Sequence, residues 1–199
     1  MITAVEASQL DLRPAVRAAL SGRTAERGLP APSIDGVQPV VITGPITARP
    51  GGPVIVAVDD DAHPGVLLRY GWDLANHLGV ALRAVYVWTD CRPPECAHHR
   101  TCHRDLADAE RLLATLLDEH LPQDAAGRIE REVVRDSDVG PALASISSSA
   151  SLLVVASCSD EPGKARGSLG SSARTLLGST ACPLVVVPHD VPPMPPARW

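Results

Sequence analysis

Phenylalanine is absent from this chain, and three tryptophans and two tyrosines are its only aromatic side chains. A core for 199 residues must therefore be built from Val, Leu, Ile and Ala. No run reaches the roughly 18 apolar residues that span a bilayer as a helix. No basic stripe with interleaved aromatics occurs, and the net charge is −5, so neither nucleic acid nor an anionic membrane surface is expected as a partner. The start, Met1-Ile-Thr-Ala-Val-Glu6, lacks the basic residues and apolar run of a signal peptide. Five cysteines are an odd number without the spacing of a disulfide framework. These absences lead to the expectation of a cytoplasmic protein. Catalytic signatures are missing too. There is no Gly-x-Ser-x-Gly elbow and no metal-protease motif, and Ser147-Ser-Ser149 has no base nearby in sequence.

What is present is a hydrophobic content of 45%, too high for a disordered chain. Residues 1–52 differ from the rest and read as an extension and linker. Leu10 to Leu20 can form a short helix weakened by Pro14, and Gly22 to Gly36 is loop-like. Val37 to Thr43 can form a short strand that Pro39 confines to an edge. From Val54 the pattern becomes regular. Val54-Ile-Val-Ala-Val58 is a continuous apolar run, as in a strand covered on both faces. Pro64 suits a first helical turn. Leu67, Gly71, Leu74, Ala75 and Leu78 then share one helical face, and Gly79 marks its end. Strand Ala84–Trp88 follows, then a polar loop to His103. A helix carries Leu106, Ala109, Leu112, Leu113 and Leu116. Further strands are expected at Ile129–Val134, Leu152–Ala156 and Leu184–Val187. Helices are expected after Asp138, as a capping residue, and from Ser171 to Leu177 before Gly178. The last residues, 190–199, are a proline-rich tail.

Strands alternating with helices imply parallel pairing through right-handed crossovers. The expected architecture is α/β: a doubly wound, five-stranded parallel sheet with helices on both faces, over residues 53–189. Ligands bind such sheets beyond the carboxyl ends of the strands. Those ends carry Asp59-Asp-Asp61, Trp88-Thr-Asp90 and Ser157-Cys-Ser-Asp160. The last is followed by a loop holding Gly163, Gly167 and Gly170-Ser171-Ser172 at the start of a helix. A helix N-terminus is a ready anion site, and the same three residues also serve simply as a helix cap.

Three segments together resemble the universal stress protein family. They are Val54-Ile-Val-Ala-Val-Asp59, Leu82-Arg-Ala-Val-Tyr-Val-Trp88, and Ser151 to Val155 leading to Gly170-Ser171 and Ala181-Cys-Pro-Leu-Val-Val-Val-Pro188. The resemblance implies the five-stranded α/β fold just described, ATP or AMP as a ligand, and a homodimer through the last strand. It implies Asp59 near the adenine and ribose, Val87 at the base, and Gly170, Ser171 and Ser172 at the phosphates. The family's phosphate loop reads Gly-x2-Gly-x9-Gly-Ser. Counting back from Gly170-Ser171 places Asp160 and Ser157 where the two earlier glycines would stand. Asp60-Asp61 replaces the family's Gly-Ser after the first aspartate. Serine and aspartate give up glycine's access to positive φ. The added carboxylates repel a triphosphate unless Mg²⁺ intervenes, an effect Lys164 and Arg166 offset. The resemblance thus implies a regulatory domain in stress response, acting through a protein partner, with no catalysis or only slow ATP hydrolysis.

A second feature competes with the nucleotide. Cys91-Arg-Pro-Pro-Glu-Cys-Ala-His-His-Arg-Thr-Cys-His103 gathers three of the five cysteines and three of the seven histidines. Thiolates and imidazoles are the ligands Zn²⁺ prefers. Cys91, Cys96 and Cys102 with one of His98, His99 or His103, taken as His99, would complete a tetrahedral shell. In that alternative the chain binds zinc or senses redox state, and does not bind nucleotide. Cys158 and Cys182 are read as small buried residues.

Overall fold

Val54–Val58 (β3) has no polar face, so it can be stable only where both sides of a sheet are covered. In the computed structural model it is the middle one of the five parallel strands. Residues 33–35, 40–43, 51–59, 64–88, 105–127, 129–157 and 169–188 are described. Val54, Val56 and Val58 point into one apolar cluster and Ile55 into another. The first is covered by α1 (Pro64–Leu78) and α2 (Leu106–His120). The second is covered by α4 (Val139–Ile146) and α5 (Ser171–Leu176). A short α3 (Gln123–Ala126) links α2 to the next strand.

The parallel strands are β3, β4 (Leu82–Trp88), β5 (Glu130–Arg135), β6 (Leu152–Ala156) and β7 (Leu184–Val187). They lie in the order β7-β6-β3-β4-β5, all parallel. This is the doubly wound five-stranded sheet expected from the pattern. Two further strands extend it. β2 (Val40–Thr43) pairs antiparallel with β7, and β1 (Ser33–Asp35) pairs antiparallel with β2. The strand expected within Val37 to Thr43 is thus present from Val40. Ser33–Asp35 corrects the loop-like reading of Gly22 to Gly36. Three residues carry no periodicity of their own, and tertiary pairing makes them a strand.

Local chemistry accounts for the helix ends. Gly79 and Gly178, with φ of 64° and 70°, follow α1 and α5 in the left-handed conformation that glycine adopts without strain. Asp105 caps α2, its carboxylate accepting from the Asp108 N–H at 2.9 Å. Asp138 occupies the N-cap position of α4 but makes no side-chain cap bond. Its own N–H donates instead to Asp136 Oδ1 at 3.0 Å, so the capping role read for Asp138 does not hold. The three serines at Ser147–Ser149 form a 3₁₀ turn. Buried Ser147 Oγ donates to the Ala144 carbonyl at 2.6 Å and accepts from the Ala181 N–H at 2.9 Å. It ties the end of α4 to the approach into β7.

Two buried groups hold their protons tightly. Burial pushes the Cys182 thiol up to about 11, so it stays a neutral core residue, as its 3% exposure suggests. Burial, with the Asp73 carboxylate beside it, raises the Tyr70 phenol to about 12. Leu106 and Leu78, both on helical faces expected to be apolar, are exposed. They sit in the first and last turns of their helices.

Candidate functional site

The order β7-β6-β3-β4-β5 reverses direction between β6 and β3. From β3 the chain steps outward to β4 and β5, and from β6 it steps the other way to β7. The two crossovers leave on opposite faces, so a crevice opens above the carboxyl ends of β3 and β6. The residues at those ends are Asp59 and Ser157.

Register brings the site residues together. β3 and β4 pair Val54 with Leu82 through Val58 with Tyr86. One further step sets Asp59 level with Val87. β3 and β6 pair Ile55 with Leu153 and last pair at Val56 with Val154, and the same count carried forward brings Asp59 to Ser157. Side chains alternate along a strand. Ile55, Val85, Val87, Leu153 and Val155 all face the cluster under α4 and α5. Asp59, Val87 and Ser157 therefore form a row on that same face, across three adjacent strands. Asp59 is exposed, whereas Val87 is 9% exposed and packs against the core.

The start of α5 is bound to this row. Gly170 donates its N–H to the Ser157 carbonyl at 2.6 Å, and Ser157 donates its N–H to the Val187 carbonyl at 2.9 Å. Gly170 is the N-cap of α5, its carbonyl accepting from the Arg174 N–H at 3.0 Å, and it has no side-chain cap bond. Its N–H is thus engaged within the protein. The donors at this helix start that can meet a ligand belong to exposed Ser171 and half-buried Ser172. The face supplies a carboxylate, an apolar floor and hydroxyl and amide donors. That set suits a ribose, a base and an anionic group respectively.

Ser157 stands where the resemblance puts a glycine. Among the described residues no non-glycine residue has a positive φ, so Ser157 sits in backbone that serine adopts without strain. The sequence places Ser157 at a strand end and at a lost glycine, and does not show that it shares a face with Asp59 and Val87. Counting alternate residues from Leu153 along β6 was the available signal. A second feature of the carboxyl edge had no signal at all. Arg135 lies over the Trp88 ring, 5.2 Å from its centroid, because register pairs Trp88 with Arg135. That offset between β4 and β5 is not written in either strand.

The proposed ligands Cys91, Cys96, His99 and Cys102 lie outside the described residues, as do Asp60, Asp61, Cys158, Asp160, Lys164 and Arg166. Among the described residues no group of three or more His, Cys, Asp or Glu is placed to hold a metal ion. Among them, too, no helix is long and apolar enough to cross a membrane.

A sequence profile of the universal stress protein family matches residues 52–188. No curated protein matches the chain in sequence. In shape, the chain is similar to a universal stress protein from Archaeoglobus fulgidus DSM 4304, with a TM-score of 0.50 and 18% identity over 78% of this chain and 51% of that one. It is also similar to a universal stress protein crystallised with cAMP, with a TM-score of 0.49 and 16% identity over 71% of this chain and 100% of the other. A family member from Burkholderia pseudomallei gives a TM-score of 0.46 and 21% identity over 71% and 98%. At these identities the likeness concerns the fold.

Proposed function

We propose that this chain, which belongs to the universal stress protein family, is a regulatory domain that binds an adenine nucleotide above the carboxyl ends of β3 and β6. The observation that carries this is the row of Asp59, Val87 and Ser157 with the start of α5 hydrogen-bonded to it. The Asp59 carboxylate accepts from the ribose hydroxyls, Val87 lies under the base, and Ser171 and Ser172 donate to phosphate. Binding changes the affinity for a protein partner in the stress response, and the domain works in the cytoplasm without turning over its ligand.

The departures from the family's loop shape the expected binding. Ser157 fits its backbone, so its loss of glycine carries no conformational cost. Asp59 is followed in sequence by Asp60 and Asp61, and carboxylates repel phosphate charge. Mg²⁺ is therefore needed for ATP more than for AMP, since the repulsion grows with phosphate charge. Calorimetric titration of the full chain with ATP and with AMP, each with and without Mg²⁺, tests this. Binding is expected for both, with Mg²⁺ tightening ATP more than AMP. Heats that stay at the dilution baseline up to millimolar ligand would remove the nucleotide reading. The zinc reading rests on the spacing of Cys91, Cys96, His99 and Cys102 alone, and needs no occupied cleft.

A further inference from the structure

The two edges of the parallel sheet are closed in different ways. Beyond β4, the edge strand β5 exposes Glu130, Arg131 and Arg135, and Arg83 reaches Glu130 at 2.7 Å. Charges of this kind discourage another strand from adding there. At the other end, β7 reads Leu-Val-Val-Val, with no charge and no residue above 2% exposed. By itself such a strand would be an open template for pairing.

Backbone directions show what covers it. The Leu153 N–H donates to the Pro183 carbonyl at 3.0 Å and the Ser157 N–H to the Val187 carbonyl at 2.9 Å. The odd-numbered residues of this segment therefore face β6. Backbone groups alternate in direction along a strand, so Leu184 and Val186 face away from it. There they meet β2, with Val40 opposite Val186 and Ile42 opposite Leu184. β2 reads Val-Val-Ile-Thr, nearly a chemical copy of β7. It is covered in turn by the three residues of β1.

We infer that the β1–β2 hairpin is a self-supplied edge cap that holds β7 closed against a second copy of this chain. A dimer through the last strand, which the resemblance implies, has to displace β2 first. With the cap in place the chain is a monomer. With the cap loosened, Leu184 and Val186 offer their backbone groups to the β7 of another copy. An antiparallel pair of identical strands then closes on a twofold axis. None of this depends on the nucleotide.

The test uses the full chain. Sedimentation equilibrium is expected to give 20.9 kDa across micromolar concentrations. In that monomer the Leu184 and Val186 amides should exchange about 100-fold more slowly than free amides, at a rate independent of concentration. Val40→Pro together with Ile42→Pro removes the two β2 donors that face β7. This variant should move toward twice the wild-type mass while keeping its helical circular dichroism. A wild-type chain that is already a dimer overturns the inference. So do unprotected Leu184 and Val186 amides in the monomer, or a folded variant that remains monomeric. Should the variant fail to fold, the wild-type mass and exchange rates decide alone.

Discussion

Gly71→Val is expected to lower the free energy of unfolding by about 3 kcal/mol, the upper part of the range for overpacked cores. A Cβ at Gly71 would overlap Cγ2 of Val56. Val56 is fully buried at the centre of β3 and branched at Cβ, so it has little freedom to turn aside. The gain from replacing glycine in a helix is under about 1 kcal/mol and cannot offset this. Gly127→Ala is the control. Nothing lies within 4 Å of a Cβ there and its φ is −72°, so its stability should stay within about 0.5 kcal/mol of wild type. Urea unfolding followed by circular dichroism compares the two. Equal midpoints would mean that α1 does not approach β3 as closely as described.

The second large effect concerns the ligand. Asp59→Asn is expected to weaken AMP binding by about 10- to 100-fold, the equivalent of one charge-assisted hydrogen bond. The sign of the effect discriminates between two roles. A carboxylate that accepts from ribose hydroxyls loses affinity when it becomes an amide. A carboxylate that merely repels phosphate gains affinity by the same change. Calorimetric titration of both proteins with AMP gives that sign directly.

The parts of the fold that were legible are those whose physics is local. Val54–Val58 and Leu184–Val187 are wholly apolar, and such short runs, opened by Pro53 and Pro183, have few places to go but a sheet covered on both faces. Gly79 and Gly178 announced helix ends because those turns need a positive φ. β1 was not legible, since Ser33-Ile-Asp35 becomes a strand only through its neighbour. The cap expected at Asp138 fails for a similar reason. Asp136, two residues earlier, supplies the carboxylate that turns the chain there.

The candidate site divides in the same way. Asp59 and Gly170 can be named from a strand end and a glycine-rich loop, and Val87 only from the family resemblance. That Asp59, Val87 and Ser157 stand level is a matter of register between strands far apart in sequence. Nor could the sequence disclose that the Gly170 N–H is engaged by Ser157, which transfers the expected phosphate contacts to Ser171 and Ser172.

The central claim is that an adenine nucleotide lies above β3 and β6, along this row. Backbone amide shifts of the full chain, recorded by nuclear magnetic resonance during titration with AMP, test it most directly. The account predicts that Asp59, Val87, Ser157, Ser171 and Ser172 shift together along one saturation curve, while Arg131 on the β5 edge stays still. Shifts confined to residues 91–103, or no shifts at millimolar AMP, would contradict it.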